Sequence, residues 1–347
     1  AGKDYKAEIL GMPKDADWVL QANYADKSLV RNAVAYSLYE AMGHYAPRMR
    51  FVNLVVDGQY RGVYQIGEKL EKGEERIDVS KLDPDDNAGD SLTGGYIIKT
   101  DWRKGTQTEG WESKYTPMKN DDKQFWQYHY PIAKKMSQQQ KDYIAAFVDS
   151  METACIQMDA DTSKGYPHYI DVNTFIDVLI MAELGKNVDG LWMSSYYVKQ
   201  RGSKGGRLQA GPIWDYDLSF GNFEHYDGYS PAGWHIEEYS ITYDKIPQFW
   251  YYLWKSPYFQ NRLKCRWIEL RKTTLSIENI HSVIDQQVAL VMESQQHNFK
   301  VWPILGTYVW PNPKPYEKDY EGEVRRLKEW FVMRLAWMDA FMPGQCN

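Results

Sequence analysis

The stretch from Asn187 to Asn222, NVDGLWMSSYYVKQRGSKGGRLQAGPIWDYDLSFGN, constrains this chain more than any other. It runs from an acid just past an apolar helical pattern to a strand pattern, a Gly-rich turn at GSKGG, a second strand pattern and two acids in WDYD. Two short runs joined by such a turn pair as an antiparallel hairpin. That pairing brings Asp189 on one arm, and Asp215 with Asp217 on the other, to one edge of a sheet. Read as an extended strand, WDYD puts Asp215 and Asp217 on the same face. Acids gathered this way are costly to bury without a cation, a proton or hydrogen bonds. A hard divalent cation takes carboxylate oxygens together with water and phosphate oxygens, so the stretch suits a metal holding a phosphate. On these residues alone, turn capping by Asp189 and a plain strand end at WDYD are equal competitors.

The rest of the chain supplies alternating strands and helices. Leu29, Ala33, Tyr36, Leu38 and Met42 fall near a 3.6 period, which predicts a helix from about Lys27 to Met42, with Asp26 as cap and Gly43 as stop. Lys27 and Arg31 share one face of it, which reads as a solvated edge rather than a phosphate clamp. The run RMRFVNLVVDGQYRGVYQIGEKL alternates on both sides of Asp57 and Gly58, a strong hairpin signal because both turn positions need positive φ. A third strand is expected from Gly95 to Asp101. The acids of DPDD and Asp90 lack calcium-loop spacing and read as a solvated loop. Trp102 to Met136 shows little periodicity and reads as a surface insertion. Helices are expected from Gln138 to about Met158 and from Val172 to Leu184, the second apolar almost all round and therefore buried. Beyond Asn222, FEHYDGYSPAGWHIEEYS reads as a long irregular loop near the acids, with His225 and His235 as ordinary loop histidines. Further helices are expected over 258–275, 276–297 and 320–341. The pattern is α+β, with antiparallel sheet in the N-terminal portion and a largely helical C-terminal third, in a single domain over residues 1–347.

Composition excludes several classes. A net charge of −6 argues against a chain that coats nucleic acid, which needs clustered Lys and Arg. No run approaches the roughly 18 apolar residues of a membrane span. Cys155, Cys265 and Cys346 have no metal-ligand spacing and allow one bridge with one thiol over. There is no GxSxG, HExxH or Walker loop, and GSKGGR reads as a hairpin turn before it reads as a phosphate loop. The 14 Trp and 27 Tyr read mainly as core, with a stacking surface for sugars or partners as the alternative. The chain opens AGKDYK without an initiator Met, as a processed protein would, so the expectation is an extracytoplasmic protein whose signal has been removed.

Three blocks in order, YADKSLVRNAVAYSLYEAMGHYAPRMRFVNLVVDGQYRGVYQIGEKL, NVDGLWMSSYYV and GPIWDYDLSFGN, resemble the CotH kinase family, named for spore coat protein H. The resemblance covers roughly residues 18–225, leaving 226–347 as the helical part of the same domain. It implies an atypical protein-kinase-like fold that binds ATP with Mg²⁺ or Mn²⁺ and transfers the γ-phosphoryl group to Ser or Thr of a protein acceptor. It also implies a bacterial secreted, coat-associated or cell-surface protein. By the same resemblance, Asp189 matches the catalytic Asp that takes or orients the acceptor proton, and Asp215 the Asp that holds the metal. Asp217 stands beside it, at a place where relatives also carry Asn. Kinase-like loops often carry a second metal-binding Asn five residues after the catalytic Asp, and here that position is Ser194. Gly190 stands where many relatives have a bulkier residue. The hairpin and the third strand are expected to form one sheet over ATP, with Lys99 and Glu68 as phosphate-binding Lys and its ion pair, and Arg50 as a rival cation. Ser194 motivates the alternative, a weak or inactive kinase-like surface module that binds glycan or protein through its aromatics.

Overall fold

The structure, a computed structural model, describes residues 5–103, 108–116 and 123–346. Strands β1 (Ala7–Ile9) and β2 (Met12–Asp15) form a small hairpin, and β3 (Trp18–Ala22) pairs antiparallel with a strand farther along. The first long helix, α1 (Arg31–Ala41), starts later than its periodicity predicts, because residues 26–30 wrap around the Asp26 carboxylate. That carboxylate accepts the backbone N–H groups of Ser28 and Arg31 at 3.1 and 2.8 Å and the Arg31 guanidinium at 2.5 Å. Lys27 and Arg31 are therefore buried rather than solvated; the Lys27 ammonium donates to the Thr307 carbonyl.

The hairpin at Asp57 and Gly58 forms as expected. Both residues have positive φ, 51° and 73°, and join β4 (Met49–Val56) to β5 (Gln59–Glu68). Its sheet, however, is three-stranded with order β3-β5-β4, and the third predicted strand, β6 (Tyr96–Thr100), is not part of it. Instead β6 lies in a five-stranded sheet with β7 (Gly110–Glu112) and β8 (Phe125–Tyr130) on one side. The described residues of the stretch 102–136 are thus no surface insertion, residues 104–107 and 117–122 of it lying outside the description: β8 is an interior strand and Trp126 is fully buried. What hid it was the shortness of the strands, three and six residues, which leaves alternation little room to show.

Helix α2 (Gln138–Ile156) begins with a capping box between Ser137 and Gln140. Helix α3 (Val172–Gly185) is capped by Asp171, which accepts the Asn173 N–H at 3.1 Å, and is buried nearly all round, as its composition requires. The five-stranded sheet is completed by β9 (Ser195–Lys199) and β10 (Leu208–Ala210), in the order β10-β9-β6-β8-β7. Helix α4 (Gln248–Lys255), rich in aromatics, was not anticipated. It is followed by α5 (Pro257–Arg271), by α6 (Ile277–Val291) and α7 (Ser294–Val301), which divide one predicted helix in two, and by α8 (Tyr320–Phe341). One apolar cluster runs from Leu29 to Met342 and includes Trp126, Trp250, Trp254, Trp267 and Trp330, so much of the aromatic excess is core. Antiparallel sheets in the N-terminal half and helices after them make the fold α+β.

Candidate active site

Helix α3 delivers the chain to the site. It ends at Lys186 in the left-handed region, φ 41°, and a tight turn follows through Asn187 and Asp189. The Asn187 side chain joins two loops: its oxygen accepts the Asp189 N–H at 3.3 Å, and its nitrogen donates to the Asp215 carbonyl at 3.1 Å. The Asp189 carbonyl accepts the Met193 N–H at 2.8 Å, closing the turn that leads into β9.

On the other arm, β10 stops at Ala210 and WDYD is not an extended strand. Gly211, at φ 100°, redirects the chain where a Cβ would lie 2.4 Å from the Tyr39 hydroxyl. Asp215 sits at φ 66°, also left-handed. The turn is held by α1: the Tyr36 hydroxyl accepts the Asp215 N–H at 3.2 Å, and the Asn32 side-chain oxygen accepts the Tyr216 N–H at 2.6 Å. Arg31 Nε donates to the Ser219 carbonyl at 3.2 Å, and Asn222 bridges the carbonyls of Ala25 and Asp217 at 3.1 and 2.8 Å. The first and third sequence blocks, nearly two hundred residues apart, thereby form one cradle.

The carboxyls meet there. The Asp215 and Asp217 side chains face each other, with Ser194 beside Asp215. Two carboxyls so close disfavour each other's ionised form. Burial pushes both up, and for Asp217 the neighbouring Asp215 adds to the shift. Asp189 is pushed up to about 6, first by burial and then by the charges of Asp215 and Asp101. Asp101, at the end of β6, thus belongs to the acid cluster although sequence reasoning passed over it. Its signal was the spacing to Lys99, two residues earlier and on the same face of the strand.

The cations stand differently from expectation. Lys99 pairs with Asp101 at 2.6 Å, not with Glu68. It is nonetheless beside the arm that carries Asp189, because β6 and β9 are neighbours and Lys99 is in register with Tyr196, whose ring lies 5.7 Å from the ammonium. Glu68 is fully buried in the other sheet, where Arg48 contacts both its oxygens at 3.1 Å, the Tyr45 hydroxyl donates at 3.1 Å and Arg76 approaches to 3.9 Å. Arg50 is exposed, donates to the adjacent Met49 carbonyl and lines a groove between α1, β4 and α6. The structure therefore brings together Asp189, Ser194, Asp215 and Asp217, with Lys99 next to them through Asp101, and gives Glu68 and Arg50 other surroundings.

Residues 2–338 match the family described as CotH kinase protein. This chain belongs to the CotH kinase family. A comparison with curated proteins finds no match. Family membership gives this CotH-family chain a kinase-like role and, with it, use of ATP. The donor set has the right chemistry for a hard cation, since Asp215 and Asp217 bring carboxylate oxygens together at one buried place. Among the described residues no three acid, His or Cys side chains are arranged to hold an ion by themselves. Asp215 and Asp217, with Ser194 beside Asp215, are the residues that would hold such an ion.

Proposed function

We propose that this chain transfers the γ-phosphoryl group of ATP, with Mg²⁺ or Mn²⁺, to a Ser or Thr hydroxyl of a protein acceptor. The observation that carries the proposal is the convergence of Asp189 with Asp215 and Asp217 in one cradle, in a chain of a kinase family. Asp189, with a carboxyl near 6, is mostly ionised at neutral pH and able to take a proton from an acceptor hydroxyl. As the acceptor oxygen bonds to the γ-phosphorus, the bond from that phosphorus to the bridging oxygen of ADP breaks and the acceptor proton passes to Asp189. When bound, the cation neutralises charge on the phosphates and aligns them. Asp215 and Asp217 would hold the cation, and Asn187 and Tyr36 fix the backbone on which Asp215 sits. Lys99, released from Asp101, places an ammonium within reach of a phosphate oxygen.

We also propose an extracytoplasmic or cell-surface setting. Cys265 and Cys346 form a disulfide, a bond that persists in oxidising compartments. The deciding experiment is incorporation of labelled γ-phosphate from Mg·ATP into the protein itself or into an acceptor, with Asp189→Ala and Asp215→Ala each reducing it to background. Absence of both incorporation and any thermal shift with Mg·ATP or Mn·ATP would reject the reading.

A further inference from the structure

Among the described residues β4 is an edge strand of its sheet, paired with β5 on one side and with no strand on the other. In an antiparallel ladder, hydrogen-bonded and non-bonded residue pairs alternate. The Glu68 N–H donates to the Arg48 carbonyl at 3.1 Å, so the bonded pairs that follow along β4 are Arg50 with Ile66 and Val52 with Tyr64. The backbone groups of Met49 and Phe51 therefore point outward from the sheet. Both residues line the groove between α1, β4 and α6, which holds about 470 Å³.

The groove has the chemistry of a binding surface. Leu10, from the turn between β1 and β2, and Leu290, from α6, stand at it 57 % and 66 % exposed, and Phe51 and Met49 are half-buried beside them. Single exposed leucines are ordinary, whereas apolar side chains gathered at one groove mark a place of contact. Among the described residues the exposed Arg50 guanidinium bonds to the neighbouring Met49 carbonyl and to no carboxylate. A lone charge can serve simply to blunt a strand edge, but that needs no groove with apolar walls. Tyr36 lines the groove too, and its hydroxyl accepts the Asp215 N–H, so one side chain separates this surface from the turn that carries the paired acids.

We propose that the groove docks an extended segment of a partner protein, added antiparallel to β4 as a further strand and carrying an acid between two apolar residues. Addition of a strand to an open edge draws affinity from the backbone and specificity from alternate side chains. The partner residues opposite Met49 and Phe51 exchange backbone bonds with them and place their apolar side chains on the same face. The residue between them falls opposite Arg50, on the other face, where a carboxylate meets the guanidinium. Pairing with the β4 of a second copy would instead bring two Arg50 side chains to one short seam, and like charges across a strand pair repel. This docking does not depend on phosphotransfer.

The test titrates fluorescein-labelled decapeptides with Leu-Asp-Leu, Leu-Lys-Leu or Ser-Asp-Ser at the centre with the whole protein and reads fluorescence anisotropy. Leu-Asp-Leu is expected to bind most tightly. Methylating both Leu backbone nitrogens, which face β4, should weaken it by roughly tenfold or more, the worth of one or two lost hydrogen bonds. Methylating the Asp nitrogen, which faces away, should leave binding unchanged. Arg50→Glu, at an exposed position, should reverse the preference for Asp over Lys. Equal losses from the two methylations overturn the strand addition, and an unreversed preference in Arg50→Glu overturns the placing of the acid. Absence of saturable Leu-Asp-Leu binding up to about 1 mM overturns the proposal as a whole. Sedimentation equilibrium should show a monomer, and a dimer that Arg50→Glu dissociates would give the groove to a second copy and overturn the proposal as well.

Discussion

Asn32 and Tyr216 are joined by a buried hydrogen bond of 2.6 Å that ties the start of α1 to the turn carrying the paired acids. Together with the bond from Asp215 N–H to Tyr36, it makes α1 a support for the site rather than a neutral core helix. Asn32→Ala leaves the Tyr216 N–H buried without its acceptor, at a cost of about 1–3 kcal/mol. A lower denaturation midpoint and slower phosphotransfer are expected together, whereas Ser37→Ala on the groove side of the same helix should change neither. An Asn32→Ala protein as stable as wild type would show that this bond does not hold the turn.

The acid cluster trades stability for function. A carboxyl whose folded pKa is raised makes the folded state bind protons more tightly than the unfolded chain, so its stabilisation is present at low pH and lost as pH rises. For Asp189 the loss spans the interval from its ordinary value of 3.8 to about 6, and Asp215 is raised in the same direction. In buffer free of divalent ions, Asp189→Asn should therefore be more stable than wild type at pH 7.5, by up to about 3 kcal/mol, and Asp215→Asn should shift in the same direction, while both lose phosphotransfer. Adding Mg²⁺ should raise the melting temperature of wild type and not of Asp215→Asn. Melting curves from pH 4 to 8, with and without Mg²⁺, read both effects. An Asp215→Asn protein that melts below wild type at pH 7.5 would contradict this account.

The scaffold around these acids was legible where it is built from local signals. The Asp57-Gly58 hairpin and the cap at Asp171 follow from neighbours a few residues apart, whereas the left-handed turn at Asp215 replaces the extended strand expected for WDYD, because Asn32 and Tyr36 hold it from a helix far off in sequence. The partners of the cations were not legible, because pairing between sheets depends on strand order, which no local pattern records. Lys99 and Glu68 look equivalent in sequence, yet β6 joins the sheet of β9 while β5 joins that of β3.

Glu68 and Lys99 should consequently separate by phenotype. Glu68 neutralises Arg48 and Arg76 at a fully buried position, so Glu68→Ala leaves two guanidiniums without their common partner and should cost about 3–5 kcal/mol. Lys99 is part-exposed and its bond to Asp101 contributes at most about 1 kcal/mol. Lys99→Ala should therefore fold normally and raise the KM for ATP severalfold. Chemical denaturation alongside steady-state kinetics distinguishes the two, and a stability loss for Lys99→Ala as large as that for Glu68→Ala would reverse the assignment.

The Cys265–Cys346 disulfide fastens the segment beyond α8 to α5, across a sequence separation of 81 residues. Closing a loop of that length in the unfolded chain is worth about 4 kcal/mol on the chain-entropy account, with about 2–4 kcal/mol typical of measured bridges. The neighbour of Cys265, Arg266, grips Asp177 of α3 with two bonds of 2.9 Å, and α3 leads directly to Asp189. Those bonds lie within the helical packing and do not depend on the bridge. Cys346→Ser, or reduction of the wild type, should thus lower the denaturation midpoint by an amount in that range and leave the phosphotransfer rate at 25 °C unchanged. Equal midpoints under oxidising and reducing conditions would show that the bridge contributes nothing to stability. A rate that falls with reduction while the fold persists would show instead that the bridge, through Arg266 and α3, reaches Asp189.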